Sequence, residues 1–68
     1  MEDIWTTYWF MIDDEDSDLS GEEFLTELKN GTKEQHINYA HELFPNVNIM
    51  CYGKISPFEA EVMGLDTY

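Results

Sequence analysis

Arginine is absent from this chain, and its only cations are Lys29, Lys33 and Lys54, set against fifteen Asp and Glu residues for a formal charge of -12. Binding phosphates needs Lys and Arg to displace counterions, so nucleic acid is excluded as a direct ligand. A single cysteine, Cys51, leaves no internal disulfide and points to a reducing compartment. No apolar run approaches the roughly 20 residues a membrane span needs. The opening Met1-Glu2-Asp3 has no basic n-region or cleavage site. A complete chain in the cytoplasm is therefore expected, with no membrane partner. Glycine is scarce, four in all, and no phosphate-cradling glycine motif is present.

Aromatics are plentiful: two Trp, four Tyr and four Phe within 68 residues. A disordered acidic tail would be poor in them, so one small folded domain spanning 1–68 is expected. A chain this short buries only about 60% of its unfolded surface, and self-repulsion works against compaction.

The expected fold class is α+β, with two strands and three helices in the order β-α-α-β-α. Residues 4–12, "IWTTYWFMI", are β-branched and aromatic on both faces, with Ile4, Tyr8, Phe10 and Ile12 on one and Trp5, Trp9 and Met11 on the other. Such a strand is either central or covered twice. Ser20-x-x-Glu23 reads as a capping box opening a helix with Phe24, Leu25 and Leu28 in a stripe, closed by Asn30-Gly31. Thr32-x-x-Gln35 opens a second helix with Ile37, Ala40, Leu43 and Phe44 on one side, stopped by Pro45. Residues 47–55 alternate, with Val47, Ile49, Cys51 and Ile55 facing one way. Ser56-Pro57-Phe58-Glu59 starts a third helix that turns Phe58, Val62 and Met63 inward and ends at Gly64. Two strands covered by helices on one side leave Trp5 and Trp9 in need of a cover. A homodimer through the N-terminal strand would supply one; the third helix or residues 65–68 are the alternative.

Charge gathers in one place. Asp13, Asp14, Glu15, Asp16 and Asp18 fall within six positions, followed by Glu22, Glu23 and Glu27, with no Lys before position 29. As a calcium loop, Asp16, Asp18, Ser20, Gly21 and Glu27 meet most of the EF-hand spacing. Three features oppose it: Glu23 stands where the loop wants an apolar residue, the entering segment is a strand, and Ser20 is already assigned as a helix cap. No cofactor is expected.

Catalysis finds no footing. His36 and His41 are five apart, share no helix face, and read as surface or half-buried residues. Cys51 has neither helix N-terminus nor neighbouring cation to activate it. Exposed aspartates lack the desolvation that raises a carboxyl pKa for acid-base work.

The carboxylates fit a recognition surface better. In extended chain, Asp14, Asp16 and Asp18 would repeat at roughly 6.6 Å on one side, and Glu23 and Glu27 on a helix would lie about 6 Å apart. Carboxylates accept the same bidentate guanidinium bonds as phosphates. Asp18, Glu22 and Glu23 are also explained as ordinary helix-start acids, but the run from Asp13 to Asp16 is not. Trp5 and Trp9 are candidate apolar anchors, and Phe24 is a third if it is not core.

In size, charge and aromatic content the chain resembles the small acidic anti-defence inhibitors of bacteriophages, the DNA mimics of the anti-restriction and anti-CRISPR type. The resemblance covers composition over the whole chain and no residue-level motif. It implies a non-catalytic inhibitor in a bacterial host cell, occupying the basic groove of a DNA- or RNA-binding enzyme. Here the acids crowd one loop instead of lining the full length, which favours plugging a local basic site over imitating a long duplex. An interaction domain that binds through its aromatic face is the remaining reading.

Overall fold

The structure, a computed structural model, describes residues 3–68. It is α+β, but the order is β-β-α-β-α: β1 (Trp5–Ile12), β2 (Glu23–Lys29), α1 (Lys33–Leu43), β3 (Ile49–Ile55) and α2 (Pro57–Met63). The three strands form one antiparallel sheet in the order β2-β1-β3.

The segment expected as the first helix is therefore a strand. Ser20 caps nothing: it lies in the turn between β1 and β2, which are paired from Trp5↔Lys29 to Met11↔Glu23. Phe24, Leu25 and Leu28 fit a helical stripe, but Phe24, Thr26 and Leu28 also alternate onto one face. The β1 strand needs a hydrogen-bonded neighbour on each side, and that non-local demand decides between the two patterns. With β1 in the centre as its two apolar faces implied, it offers no edge to a second copy, so the N-terminal strand does not form a dimer by strand pairing.

Helix α1 begins as its sequence requires. Thr32 accepts from the Gln35 N–H and the Gln35 side chain returns to the Thr32 N–H, completing the capping box. It covers the face carrying Thr6, Tyr8, Phe10 and Ile12 of β1 and Phe24, Thr26 and Leu28 of β2. Phe10, Ile12, Phe24 and Ala40 are buried there, with Ile37, Leu43, Phe44, Val47, Ile49 and Cys51 packed around them. Burying each large side chain contributes about 1.5–3 kcal/mol. Phe24 stacks on Phe10 at 5.5 Å and meets Phe44 at 4.7 Å between ring centres.

Two departures change which residues face where. The pairing of β1 with β3 slips by one residue between Trp9 and Phe10, so that Trp9 pairs with Gly53 while Phe10 pairs with Cys51. Tyr52 is the extra residue of this bulge, and Gly53 adopts φ 129°, open to glycine and costly for other residues. Ile49 and Cys51 keep the expected core face, but Ile55 is turned to the opposite one, across from Thr7. In α2, Ser56 and Glu59 form the expected capping box and Gly64 ends the helix in the left-handed conformation. Its facing differs in part, however: Met63 is half-buried as expected, together with Ala60, but Phe58 and Val62 are 74% and 70% exposed. Phe58 and Val62, four apart, share one stripe of this short helix; Ala60 and Met63, three apart, share another.

Beyond α2 the chain reaches the free edge of β2 and runs parallel to it. Leu25 N–H donates to Asp66 O, Tyr68 N–H to Leu25 O and Glu27 N–H to Tyr68 O. The Tyr68 ring then packs edge-on against Phe24 and Phe44.

Candidate functional site

Two surfaces meet at one end of the sheet. The first is the turn joining β1 to β2, residues 13–22. Far from extended, it folds into consecutive tight turns closed by Ser17 N–H to Asp14 O, Ser20 N–H to Ser17 O and Glu22 N–H to Leu19 O. The regular spacing expected for Asp14, Asp16 and Asp18 does not form. Asp14 is also occupied: Oδ1 accepts from Asp16 N–H and Oδ2 from Asn48 N–H, tying the turn to the loop before β3. Asp13, Glu15, Asp16, Asp18, Glu22 and Glu23 are exposed.

None of the three lysines lies beside these six carboxylates. Lys29 stands opposite Trp5 at the far end of β1, about 23 Å away along the strand, and pairs with Asp3 at 3.0 Å. That is nearly three Debye lengths at physiological salt. Lys54 is opposite Tyr8, midway along. Lys33 lies in the first turn of α1, whose other end, by Phe44 and Phe24, points toward the acidic turn and adds the negative pole of its dipole.

The positions of the EF-hand spacing are divided between the turn and strand β2. Glu27 sits within β2 opposite Thr7, five residues beyond the turn that holds Asp16, Asp18 and Ser20. Among the described residues no three His, Cys, Asp or Glu side chains are grouped to hold a metal ion. Glu23 and Glu27, on one strand, are about 13 Å apart, double the helical spacing expected.

The second surface is the sheet face opposite α1. Trp5, Trp9 and Met11 of β1, Glu23 and Glu27 of β2 and Met50 and Tyr52 of β3 share it. Trp5 is 59% exposed and Tyr52 45%, while Trp9 and Met11 are half-buried. Trp9 and Tyr52 lie ring against ring, 4.1 Å between centres. The Trp9 indole N–H donates to Glu23 Oε1 at 3.0 Å. Glu23 borders both surfaces. Phe24, buried in the core, is not an anchor.

Beneath α1 lies a polar cluster that the sequence did not disclose. His36 is wholly buried, not on the helix surface. Its Nε2 is 2.7 Å from Thr6 Oγ1 and its Nδ1 2.7 Å from Thr26 Oγ1, with Tyr8 packed on the ring at 4.4 Å. The Thr6 hydroxyl also faces the Leu28 and Gly31 carbonyls at 3.1 and 3.0 Å. With its own proton directed to those carbonyls, Thr6 accepts from Nε2–H, and Nδ1 accepts from Thr26. The network fixes one neutral tautomer. Burial, with a smaller contribution from the Lys54 charge, pushes the imidazole pKa below its ordinary value. With no substrate-accessible face, the cluster has the character of a fully satisfied core network and not of a catalytic site.

No helix of the described residues is long and apolar enough to cross a membrane. Compared with protein-family models, with curated proteins and with solved structures, the chain finds no match in any of the three.

Proposed function

We propose that this protein is a non-catalytic inhibitor that docks its acidic end on the basic surface of a nucleic-acid-binding protein, in the cytoplasm of a bacterial host. One observation carries the reading: six exposed carboxylates on the β1–β2 turn and the start of β2, with the lysines held along and beyond the opposite half of the sheet. Segregated charge of this kind accelerates association with a cationic groove and makes it salt-dependent. A hydrogen-bonded turn only ten residues long suits a local basic pocket better than a long duplex channel. Asp14, which braces the turn, acts as a positioning residue, and Asp13, Glu15, Asp16, Asp18, Glu22 and Glu23 make the contacts.

The test is a pull-down from nuclease-treated bacterial lysate with the wild-type chain and with a Glu15→Lys/Asp16→Lys/Asp18→Lys variant. A basic partner held at low salt, released at high salt, displaced by added DNA and lost by the variant supports the reading. A partner that survives high salt, ignores DNA and binds the variant equally well refutes it, and assigns binding to the aromatic face.

A further inference from the structure

We propose that the sheet face beside the acidic turn is an arginine-selective contact, in which a guanidinium from the partner lies on the exposed Tyr52 ring, itself packed on the half-buried Trp9, and donates to Glu23. This deepens the preceding proposal and rests on it, since it assumes a cationic partner surface.

The face combines what a guanidinium needs and an ammonium uses less well. Tyr52 is the outward member of a ring pair 4.1 Å between centres, and it is 45% exposed. A planar, weakly hydrated cation stacks on such a surface, and Arg does so more often than Lys. The Glu23 carboxylate is not a loose surface acid: its Oε1 accepts the Trp9 indole N–H at 3.0 Å, which holds the group beside the aromatic pair with its other oxygen uncommitted. Arg can therefore stack and form a charge-assisted hydrogen bond in one placement.

The bulge contributes too. In an unbroken register Lys54 would stand opposite Thr7 on this same face. With Tyr52 inserted, Lys54 instead pairs with Tyr8 on the α1 side, and Ile55 takes the place opposite Thr7. The only cation of β3 is thus turned away from the aromatic pair, whose charged neighbours on β2 are Glu23 and Glu27; Lys29, on the same face, stands opposite Trp5 at the far end and is paired with Asp3. A second copy is a poor occupant, because two chains of formal charge -12 would meet acid to acid. Charge complementarity selects a cationic partner.

Nona-arginine and nona-lysine, equal in length and charge, are titrated at low salt into the full chain while the Trp9 indole N–H resonance is followed. Both peptides bind, the arginine peptide roughly fivefold tighter, and it shifts the Trp9 signal. Tyr52→Leu, which keeps apolar bulk but removes the π face, and Glu23→Gln, which can still accept from the indole, each bring the ratio close to one. The Glu15→Lys/Asp16→Lys/Asp18→Lys variant weakens both peptides by the same factor and preserves the ratio. Equal binding of the two peptides by the wild type, or a ratio unmoved by Tyr52→Leu, overturns the arginine assignment and leaves the acidic-end reading standing. Failure of both peptides to bind overturns both.

Discussion

Replacing Thr26 with Val tests the buried network at its simplest link. The two side chains are nearly the same shape, so packing between β2 and α1 is kept while the donor to His36 Nδ1 is lost. Thr26 and His36 are both wholly buried, and no water reaches the abandoned nitrogen. An unsatisfied buried acceptor costs about 1–3 kcal/mol. A domain of this size has about 3–10 kcal/mol of stability in total, so the loss is a large share. Urea unfolding at pH 7.5 reads it as a lower midpoint with an unchanged slope. In a thermal melt it corresponds to about 4–8 °C for each kcal/mol. The measurement is sharpened by a cycle with His36→Leu, in which Thr26→Val costs much less because the acceptor is already gone. A Thr26→Val loss under about 0.5 kcal/mol, or an identical loss in the His36→Leu background, would refute the network as drawn.

Three further outcomes are expected. Because the folded pKa of His36 is lowered, the unfolded chain binds more protons below its ordinary pKa of about 6.5. The histidine's contribution is complete above that pH and declines as pH falls through the folded value, by at most about 1.4 kcal/mol per pH unit; denaturation series of wild type and His36→Leu, subtracted, isolate it from carboxylate effects. Gly31→Ala places a methyl 2.7 Å from Leu28 Cβ, 3.0 Å from His36 Nε2 and 3.1 Å from Thr6 Oγ1, a clash costing about 1–3 kcal/mol, which a melting curve detects. Asp14→Ala removes the acceptor of the Asp16 and Asn48 N–H groups and destabilises by about 1–2 kcal/mol, whereas Asp16→Ala, exposed and accepting no such bonds, leaves the melt unchanged.

Much of the fold is legible in local sequence because local rules govern it. The Thr32/Gln35 and Ser56/Glu59 boxes mark real helix starts, and Pro45 and Gly64 real ends. The two-faced apolar character of β1 announces a central strand. The Ser20/Glu23 pair has the same letters as a true box but misleads, because Phe24, Leu25 and Thr26 are buried consecutively and show neither helical nor strand periodicity. Phe24 and Thr26 are covered by α1 on one side of β2, while Leu25 belongs to the other face and has its backbone tied to the distant residues Asp66 and Tyr68 along the edge. Likewise His36 becomes a core residue only through Thr6 and Thr26, 30 and 10 positions away in the chain. Of the expected site residues, Glu27 lies within β2 away from the acidic turn, and the spacing of the others, the bracing role of Asp14 and the position of Tyr52 beside Trp9 depend on turns and a bulge that composition does not encode.

The docking of residues 66–68 on β2 has a consequence for how copies of the chain can associate. A sheet with two open edges can add strands at both and grow into a fibre. Here the β2 edge is closed, and among the described residues β3 pairs only with β1, leaving one free edge that the bulge at Tyr52 and Gly53 interrupts. Addition at a single edge stops at a pair: two copies joined β3 to β3 have nothing further to offer a third. Removing those last three residues would convert a sheet that can at most couple into one that can polymerise, with a formal charge of -11, Asp66 being lost with them, left to keep the chains apart.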